Sequence, residues 1–470
     1  MKILLIDPPY GVEEIGGERK NFKYALNKIP SLGLGYLAGV AEKKGHEVKI
    51  VDCTLEYSPE KLKNLVKEFK PQIVGVTATT PTFNNAVKVT AILREIIPEA
   101  KFLCGGSHPT ADPLNSLSSD IFDILVLGEG EETFIELLEH IKEDQPLDAV
   151  KGIAFKKNGQ IHITPPRPKI ENLDSLPFPR RDLFPPLKKY SPTPASYRKL
   201  PLAVIMTSRG CPHKCTFCDR AVFGEKFRRR SVENVMAEVE EVLIKFGTKE
   251  IRFFDDNFTL DKEFCENICK EMRKLRLKIP WTCLTSVKYA DFGLFKLMRE
   301  SGCWQVLFGL ESGDDGVLKK LGKGTTVEAN RKAVLLARKA GLRVRADFLV
   351  GSPWETPSTL RKTVEFAKSL PLDFAHFNKF VPYPGTDIYR ELVSQGYSFN
   401  FDKGAFINNQ CDLIYCPPAF SPQEFKVGLN KAYKEFYLRP NYIIQKLLAI
   451  RTVTELIGHV KGGLSILSLQ

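Results

Sequence analysis

The chain reads as α/β: a doubly wound parallel sheet, then an open partial barrel of six strand–helix units, then a mainly helical C-terminal region. Two observations predict this. Runs of Ile, Val and Leu without polar alternation recur between amphipathic segments, as expected of parallel strands covered on both faces. The alternation also breaks once, at a proline-rich stretch, and then resumes; 470 residues are too many for one compact core.

The first 145 residues repeat a strand–helix unit five times. KILLID, EVKIVDC, QIVGVTAT, KFLCGG and DILVLG are the strands, and segments such as SPEKLKNLVKEFK are the helices. Short connections imply right-handed crossovers, and five units predict a flavodoxin-like domain. A ligand then belongs at the carboxyl ends of the strands. Those ends read DPPYG (7–11), TATTPT (77–82), GGSHPT (105–110) and GEGEET (128–133). Gly, Thr and Pro there suit a large polar cofactor met by backbone amides and hydroxyls. The turn after the first strand lacks G-x-G-x-x-G, which argues against a dinucleotide.

Residues 146–200 form the expected linker, with a hairpin signal at Asn158-Gly159 and then PPRP, PFPRRD and FPPLKK, where prolines forbid a long helix. Residues 201–395 carry AVIMTS, EIRFFDD, WTCLTS, WQVLFGLES, VRADFLVG and FAHFNKFVPY as barrel strands, and 396–470 form the C-terminal region. In such barrels chemistry sits at the C-terminal strand ends. RGCPHKCTFCDR (209–220) begins where the first of these strands ends.

That loop holds three cysteines, Cys211, Cys215 and Cys218. Structural zinc needs four protein ligands, and no matching pair follows. A 4Fe-4S cluster held by three cysteines keeps one iron open for a substrate or cofactor. The missing fourth cysteine therefore reads as function. The other eight cysteines include Cys265 and Cys269 on one helix, and Cys411 and Cys416; both pairs read as core or edge residues because partners are lacking.

Composition narrows the rest. No apolar run of about twenty residues is present, and MKILLID reads as a buried strand rather than a leader, so a cytoplasmic protein is expected. The net charge of +12 is spread along helices without interleaved aromatics, against a nucleic-acid module. KFRRRS (226–231) is either an anion site or a solvated basic turn. The last fifty residues are basic and apolar by turns, suiting either a helical lid over the barrel or contact with an anionic membrane.

With Phe217 before its last cysteine, the triad resembles that of the radical S-adenosylmethionine (SAM) enzymes. GLESG (309–313), FLVGSPWET (348–356) and VPYPGT (381–386) resemble that superfamily's later strand-end motifs in order. The resemblance implies that the open iron binds SAM, whose reductive cleavage yields a radical that abstracts hydrogen, with electrons from a donor such as flavodoxin or ferredoxin. By position it implies Cys211, Cys215 and Cys218 as cluster ligands and Phe217 near the adenine. It places Glu311 and Ser312 near the ribose or methionine end, and Tyr383 and Gly385 near the adenine. FFDDNF replaces a Gly-Gly-Glu end, leaving Asp255, Asp256 or Asn257 as the candidate contact to the amino group. Ser352 and Trp354 stand where glycine is commoner.

GGSHPT and GEGEET resemble the loops of the cobalamin-binding radical SAM subfamily, over roughly residues 1–400. This implies cobalamin near Pro9, Thr79, Thr80, Gly105, Gly106, His108, Pro109, Gly128, Glu129 and Gly130. Asp-x-His-x-x-Gly, which supplies a cobalt-ligating histidine elsewhere, is absent. His108 is then a loop histidine bonded to cofactor amides or backbone rather than an axial ligand. The resemblance implies an anaerobic enzyme that methylates an unactivated carbon of a small or lipid-like substrate. An oxidative cyclase of the porphyrin type, an RNA methylthiotransferase and a non-catalytic cobalamin sensor are the alternatives. The methylthiotransferase would need a second N-terminal cysteine triad; the sensor leaves the three-cysteine loop without purpose.

Overall fold

Strands β1 Lys2–Asp7, β2 Glu47–Asp52, β3 Ile73–Thr77, β4 Lys101–Gly105 and β5 Ile124–Val126 form a parallel sheet in the order β2-β1-β3-β4-β5. This is the flavodoxin-like order, whose switch point lies between β1 and β3. The computed structural model describes residues 1–10, 27–193, 196–275, 278–401 and 413–449. Helices α1 Leu32–Lys43, α2 Pro59–Phe69, α3 Phe83–Arg94, α4 Ser107–Ala111, α5 Pro113–Ser118 and α6 Gly130–Lys142 cover both faces. Each face has its own apolar core, one around Leu4, Val74, Phe102 and Leu125, the other around Ile3, Leu103, Phe134 and Leu137.

The hairpin of residues 146–166, read from the sequence as the start of the linker, extends this sheet instead. β6 Ile153–Lys157 pairs antiparallel with β5, and β7 Gln160–Ile163 pairs with β6. The reason is edge satisfaction: β5 is three residues long, and its open side offers backbone groups that need partners. Asn158 and Gly159 both take positive φ, as the tight turn requires. The proline-rich segment then lies along α1. A Cβ at Gly35 would stand 2.8 Å from the Pro179 side chain, and one at Gly39 2.9 Å from that of Pro177.

The second sheet is fully parallel, in the order β15-β14-β13-β12-β11-β8. Its strands are β8 Leu202–Ile205, β11 Glu250–Phe253, β12 Trp281–Thr285, β13 Cys303–Glu311, β14 Arg343–Val350 and β15 Phe374–Lys379, the six expected. A small antiparallel ribbon, β9 Ser208–Arg209 with β10 Arg228–Arg229, brackets the cysteine loop. Outside lie α7 Val232–Phe246, α8 Lys262–Lys274, α9 Phe292–Glu300, α10 Asp315–Lys320, α11 Val327–Lys339 and α12 Pro357–Ser369, and then α13 Asp387–Ser394. α7 shows why they start and stop: Ser231 Oγ accepts the Asn234 N–H, and Gly247 ends the helix in the left-handed region.

α14 Pro422–Tyr437 and α15 Pro440–Ala449 follow. α14 lies against the open edge of the barrel. Tyr433 and Tyr437, one turn apart, hydrogen-bond the backbone of Phe377 and Ala375 on β15. Edge strands leave such groups unpaired, and here phenols take them up. Of the last fifty residues, on which the membrane reading rests, 450–470 lie outside the described residues, as does Cys411. No helix among the described residues is long and apolar enough to cross a membrane.

Candidate functional site

The cysteine loop leaves the barrel through a backbone position only glycine tolerates. Gly210 has φ +87, and a Cβ there would lie 2.3 Å from the Lys226 carbonyl on the returning strand. Within the loop, Cys218 N–H donates to the Cys215 carbonyl (3.2 Å), and Thr216 N–H to that of Leu321 (3.0 Å). Cys211, Cys215 and Cys218 are all free thiols. Cys218 stands at the loop's surface, yet the surrounding protein pushes its thiol up to about 12, with Cys215, Asp256 and Cys211 adding repulsion. Burial likewise raises Cys211 and Cys215. Three thiols that resist ionising together suit a centre whose own positive charge draws the protons off.

That observation tests the fit of a cluster. Among the described residues no group of three or more His, Cys, Asp or Glu converges on a single-ion site. A cluster spreads its thiolates, one to each iron. Three free thiols on one loop fit a three-cysteine cluster.

The strand ends beside the loop divide sharply. Asp255 Oδ1 accepts the Thr207 N–H (2.8 Å) and the hydroxyls of Thr207 and Ser208 (3.1 and 2.8 Å). Burial nonetheless raises its pKa to about 6. Asp255 thus braces the end of β8 through Oδ1, while its buried Oδ2 has no partner among the described residues. Asn257 accepts the Ser286 N–H (3.2 Å). Asp256 is the exposed member, taking the Gly210 N–H and lying close enough to Cys211 and Cys218 to raise them.

Glu311 takes φ +61 at a register shift in β13, and its Oε1 accepts from Lys323 Nζ at 2.7 Å. Lys323 also stands 5.8 Å from the Phe217 ring. Burial alone would lower its pKa, but Glu311 and Cys215 outweigh burial and raise it. Sequence reasoning missed Lys323. The available signal was a lysine between two glycines, Gly322 and Gly324, both with positive φ. Ser312 is fully buried, 3.2 Å from Thr363 Oγ1, and accepts the Asp314 N–H, so it holds a turn rather than facing the mouth. Ser352 is also fully buried, and Trp354 joins Phe217 around the Phe380–Tyr415 cluster.

The first sheet's strand ends form a second cradle. Gly106 has φ +109, and a Cβ there would lie 2.6 Å from the Ala78 carbonyl, so the loops after β3 and β4 touch. Gly105 C=O accepts the Ala78 N–H (2.8 Å). Thr110 Oγ1 accepts from Gly128 N–H (3.0 Å), tying in the loop after β5. Pro9 C=O accepts from Asn85 (2.9 Å). Thr79 is exposed; Thr80 and Pro109 are buried. His108 is buried, its Nδ1 3.2 Å from Thr80 Oγ1 and its ring 4.3 Å from that of Phe83, and burial lowers its pKa. A side-chain-poor cradle of positive-φ glycines fits a flat macrocycle.

Glu129, beside Gly130 in the expected cofactor loop, is bonded across to the second sheet. Its oxygens accept from Arg209 Nη1 and Arg228 Nη1, each at 2.8 Å, and from the Ile170 N–H (3.0 Å). Arg209 also pairs with Glu131, and Arg230 with Glu238. KFRRRS is therefore neither an anion site nor a wholly solvated turn: Arg228 and Arg230 are buried ion-pair partners, and Arg229 pairs with Asp261. The pairs of Arg209 and Arg228 with Glu129 and Glu131 bring the carboxyl-end loops of the two sheets together. Gly385 completes the contact, since a Cβ there would lie 2.8 Å from Asp219 and 2.9 Å from Ala111. Tyr383 lies two residues earlier, its pKa raised to about 12 by burial.

Cys265 and Cys269 do have neighbours: Cys283 and Cys303 lie in the same buried core. Cys416 is half-buried and turned to the Phe420 carbonyl (3.5 Å).

A profile of the radical SAM superfamily matches residues 205–367, and one of the B12 binding domain matches residues 21–138. An uncharacterized methyltransferase of Pyrococcus horikoshii is 36% identical over 95% of both chains. The anaerobic magnesium-protoporphyrin IX monomethyl ester cyclase of Cereibacter sphaeroides is 30% identical over 93% of this chain and 71% of its own. The cytidylyl-2-hydroxyethylphosphonate methyltransferase of Streptomyces wedmorensis is 31% identical over 84% and 82%. The fold is similar to that of the methyltransferase TsrM from Kitasatospora setae, with cobalamin and a [4Fe-4S] cluster bound (TM-score 0.72, 20% identity, 94% of this chain and 89% of that one). It is equally similar to the cobalamin-dependent radical enzyme OxsB (TM-score 0.72, 17% identity, 98% and 70%). Three free thiols on a strand-end loop, set against a glycine cradle on a flavodoxin-like sheet, agree with both profiles, and the chain belongs to the cobalamin-binding branch of the radical SAM superfamily, an enzyme whose cofactors are a 4Fe-4S cluster, SAM and cobalamin.

Proposed function

We propose that this enzyme transfers a methyl group to an unactivated carbon of a small or lipid-like molecule held where the two sheets' carboxyl ends meet. The observation that carries the reading is the buried pairing of Arg209 and Arg228 with Glu129 and Glu131, which fixes the cysteine loop against the glycine cradle. The methyltransferase relatives support it. When bound, the cluster, SAM and cobalamin supply radical generation and methyl carriage, chemistry that no side chain here provides.

The chain's own part is to hold, orient and exclude water. In this reading Cys211, Cys215 and Cys218 hold the irons. Asp256 and the Lys323-oriented Glu311 serve the polar end of SAM, and Phe217, Tyr383 and Gly385 its adenine. Thr79, Gly105, Gly106 and Gly128 receive the macrocycle, with Pro9, Pro109 and Gly130 shaping the loops. His108, buried beside Thr80, would support the loop that holds cobalamin. The electron donor is of the flavodoxin or ferredoxin type.

A second reading, oxidative cyclisation, is favoured by the cyclase relative. SAM with a deuterated methyl group separates the two, using anaerobically reconstituted enzyme and a reductant. A product carrying the labelled methyl supports methylation. Deoxyadenosine accumulating while no label enters any product would give the reaction to cyclisation.

A further inference from the structure

The inner face of the barrel holds a cavity of hydrogen-bond donors that the cofactor reading does not use. Side chains alternate across a strand, so Ile251, Phe253, Val306 and Val344 pack outward on the helices, while Arg252, Thr282 and Gln305 point inward at matching register. These three, with Arg345, Ser196, Leu284 and Leu307, line one cavity with room for about one water-sized occupant. It sits near the start of the strands, well below Glu311 and the cysteine loop.

Its polar groups are unmatched. Arg252 is only 7% exposed, and its Nη1 is fully buried with no partner; neither do Thr282 Oγ1 and Gln305 Nε2 have one. Arg345 is satisfied differently: Nη1 donates to Ser196 Oγ (2.8 Å), Nη2 lies 3.1 Å from His376 Nδ1, and Nε faces Asp347 (3.4 Å). Of the carboxylates acting on Arg252, Asp347 is thus engaged with Arg345. Glu250 accepts from the Arg198 and Lys199 N–H groups and from Trp304 Nε1. Among the described residues no carboxylate pairs with Arg252, whose nearest aromatic is Phe254, 5.3 Å from the guanidinium carbon. A buried guanidinium without a counter-charge is costly, and burial followed by repulsion from Arg345 lowers its pKa to about 10. Water could give one proton to Thr282 Oγ1 but would leave the guanidinium without a counter-charge. An acceptor-only, negatively charged occupant satisfies every group.

We propose that this cavity binds a compact monoanion through Arg252, Thr282 and Gln305, supplied either as a free halide or as the carboxylate end of a small molecule entering the barrel. The site is independent of which reaction the enzyme performs, since its residues touch neither candidate cofactor position.

The test is calorimetric unfolding of the full-length, cofactor-loaded chain in sodium gluconate, bromide or formate at one ionic strength. An occupant that binds only the folded state raises Tm as it saturates, by about 2 °C or more at a hundredfold excess over Kd. A rise in bromide alone assigns the site to free halide, and one in formate assigns it to a carboxylate. Arg252→Met should abolish the anion dependence whatever its own Tm, and the milder Thr282→Val should shift the saturation midpoint upward. Equal Tm in all three salts, or a rise that survives in Arg252→Met, overturns the proposal. Where bromide gives the rise, a bromide-grown crystal with no anomalous peak among the three side chains overturns it too.

Discussion

Arg209 Nη1 donates to Glu129 Oε1 at 2.8 Å across eighty residues of sequence, with both side chains almost wholly buried. Arg209 stands at the start of the cysteine loop and Glu129 opens the helix after β5. Breaking one side of a buried pair strands a charge, so Arg209→Met should destabilise the chain by roughly 3–5 kcal/mol. The double variant with Glu129→Gln should recover part of that loss. Denaturant unfolding of the three variants measures both, and additive losses would dissolve the coupling.

The same pair gives a pH signature. Burial works against the charged form of Glu129, but hydrogen bonds from Arg228 and Arg209 more than compensate, and its pKa lies below the usual carboxylate value. A depressed acid contributes stability above its unfolded pKa, about 4.3, and loses it as pH falls through the lower folded value. Arg209-dependent stability should therefore be flat from pH 7 to about 5 and fall below about 4. A difference between parent and Arg209→Met that grows with acidity would contradict this.

Cys218→Ala should lose most bound iron and sulfide after anaerobic reconstitution, because three cysteines supply all the protein ligands in view. Cobalamin retention should stay close to that of the parent, since the cradle lies on the other sheet. Iron, sulfide and cobalamin assayed on one sample decide it.

Lys323→Met removes the charged hydrogen bond to Glu311. Such bonds are worth about 1.5–3 kcal/mol, so SAM affinity should fall roughly ten- to a hundredfold, with Lys323→Arg intermediate. Titration calorimetry under argon measures it, and unchanged affinity in the methionine variant would remove Glu311 from the SAM site.

Tyr437→Phe leaves both backbone groups of Ala375 without the phenol that joins them. A cost of about 1–3 kcal/mol is expected, together with faster amide exchange at Ala375. Exchange unchanged at that amide would mean that α14 does not seal the edge.

Much of the architecture was legible because it is local. Uninterrupted apolar runs named all eleven parallel strands, Gly- and Thr-rich ends marked the first cradle, and the cysteine spacing marked the cluster loop. What failed was long-range. KFRRRS looked like an exposed basic turn because its carboxylate partners are up to about a hundred residues away in sequence. Asp255 and Ser312 also brace the end of β8 and the turn after β13, contacts that spacing does not reveal. Cys265 and Cys269 looked solitary until β12 and β13 brought Cys283 and Cys303 beside them.

By itself, then, the sequence determined the two sheets, their order of use and the three thiols of the loop, because periodicity and ligand spacing are properties of neighbouring residues. Only the tertiary structure decided which charges face each other: that Glu129 joins the sheets, that Lys323 reaches Glu311, and that Arg252 lies buried with no carboxylate paired to it among the described residues. Those outcomes depend on burial and on contacts between distant strands. Desolvation, which turns a charged side chain from a surface feature into a structural one, is set only when the chain has closed around it.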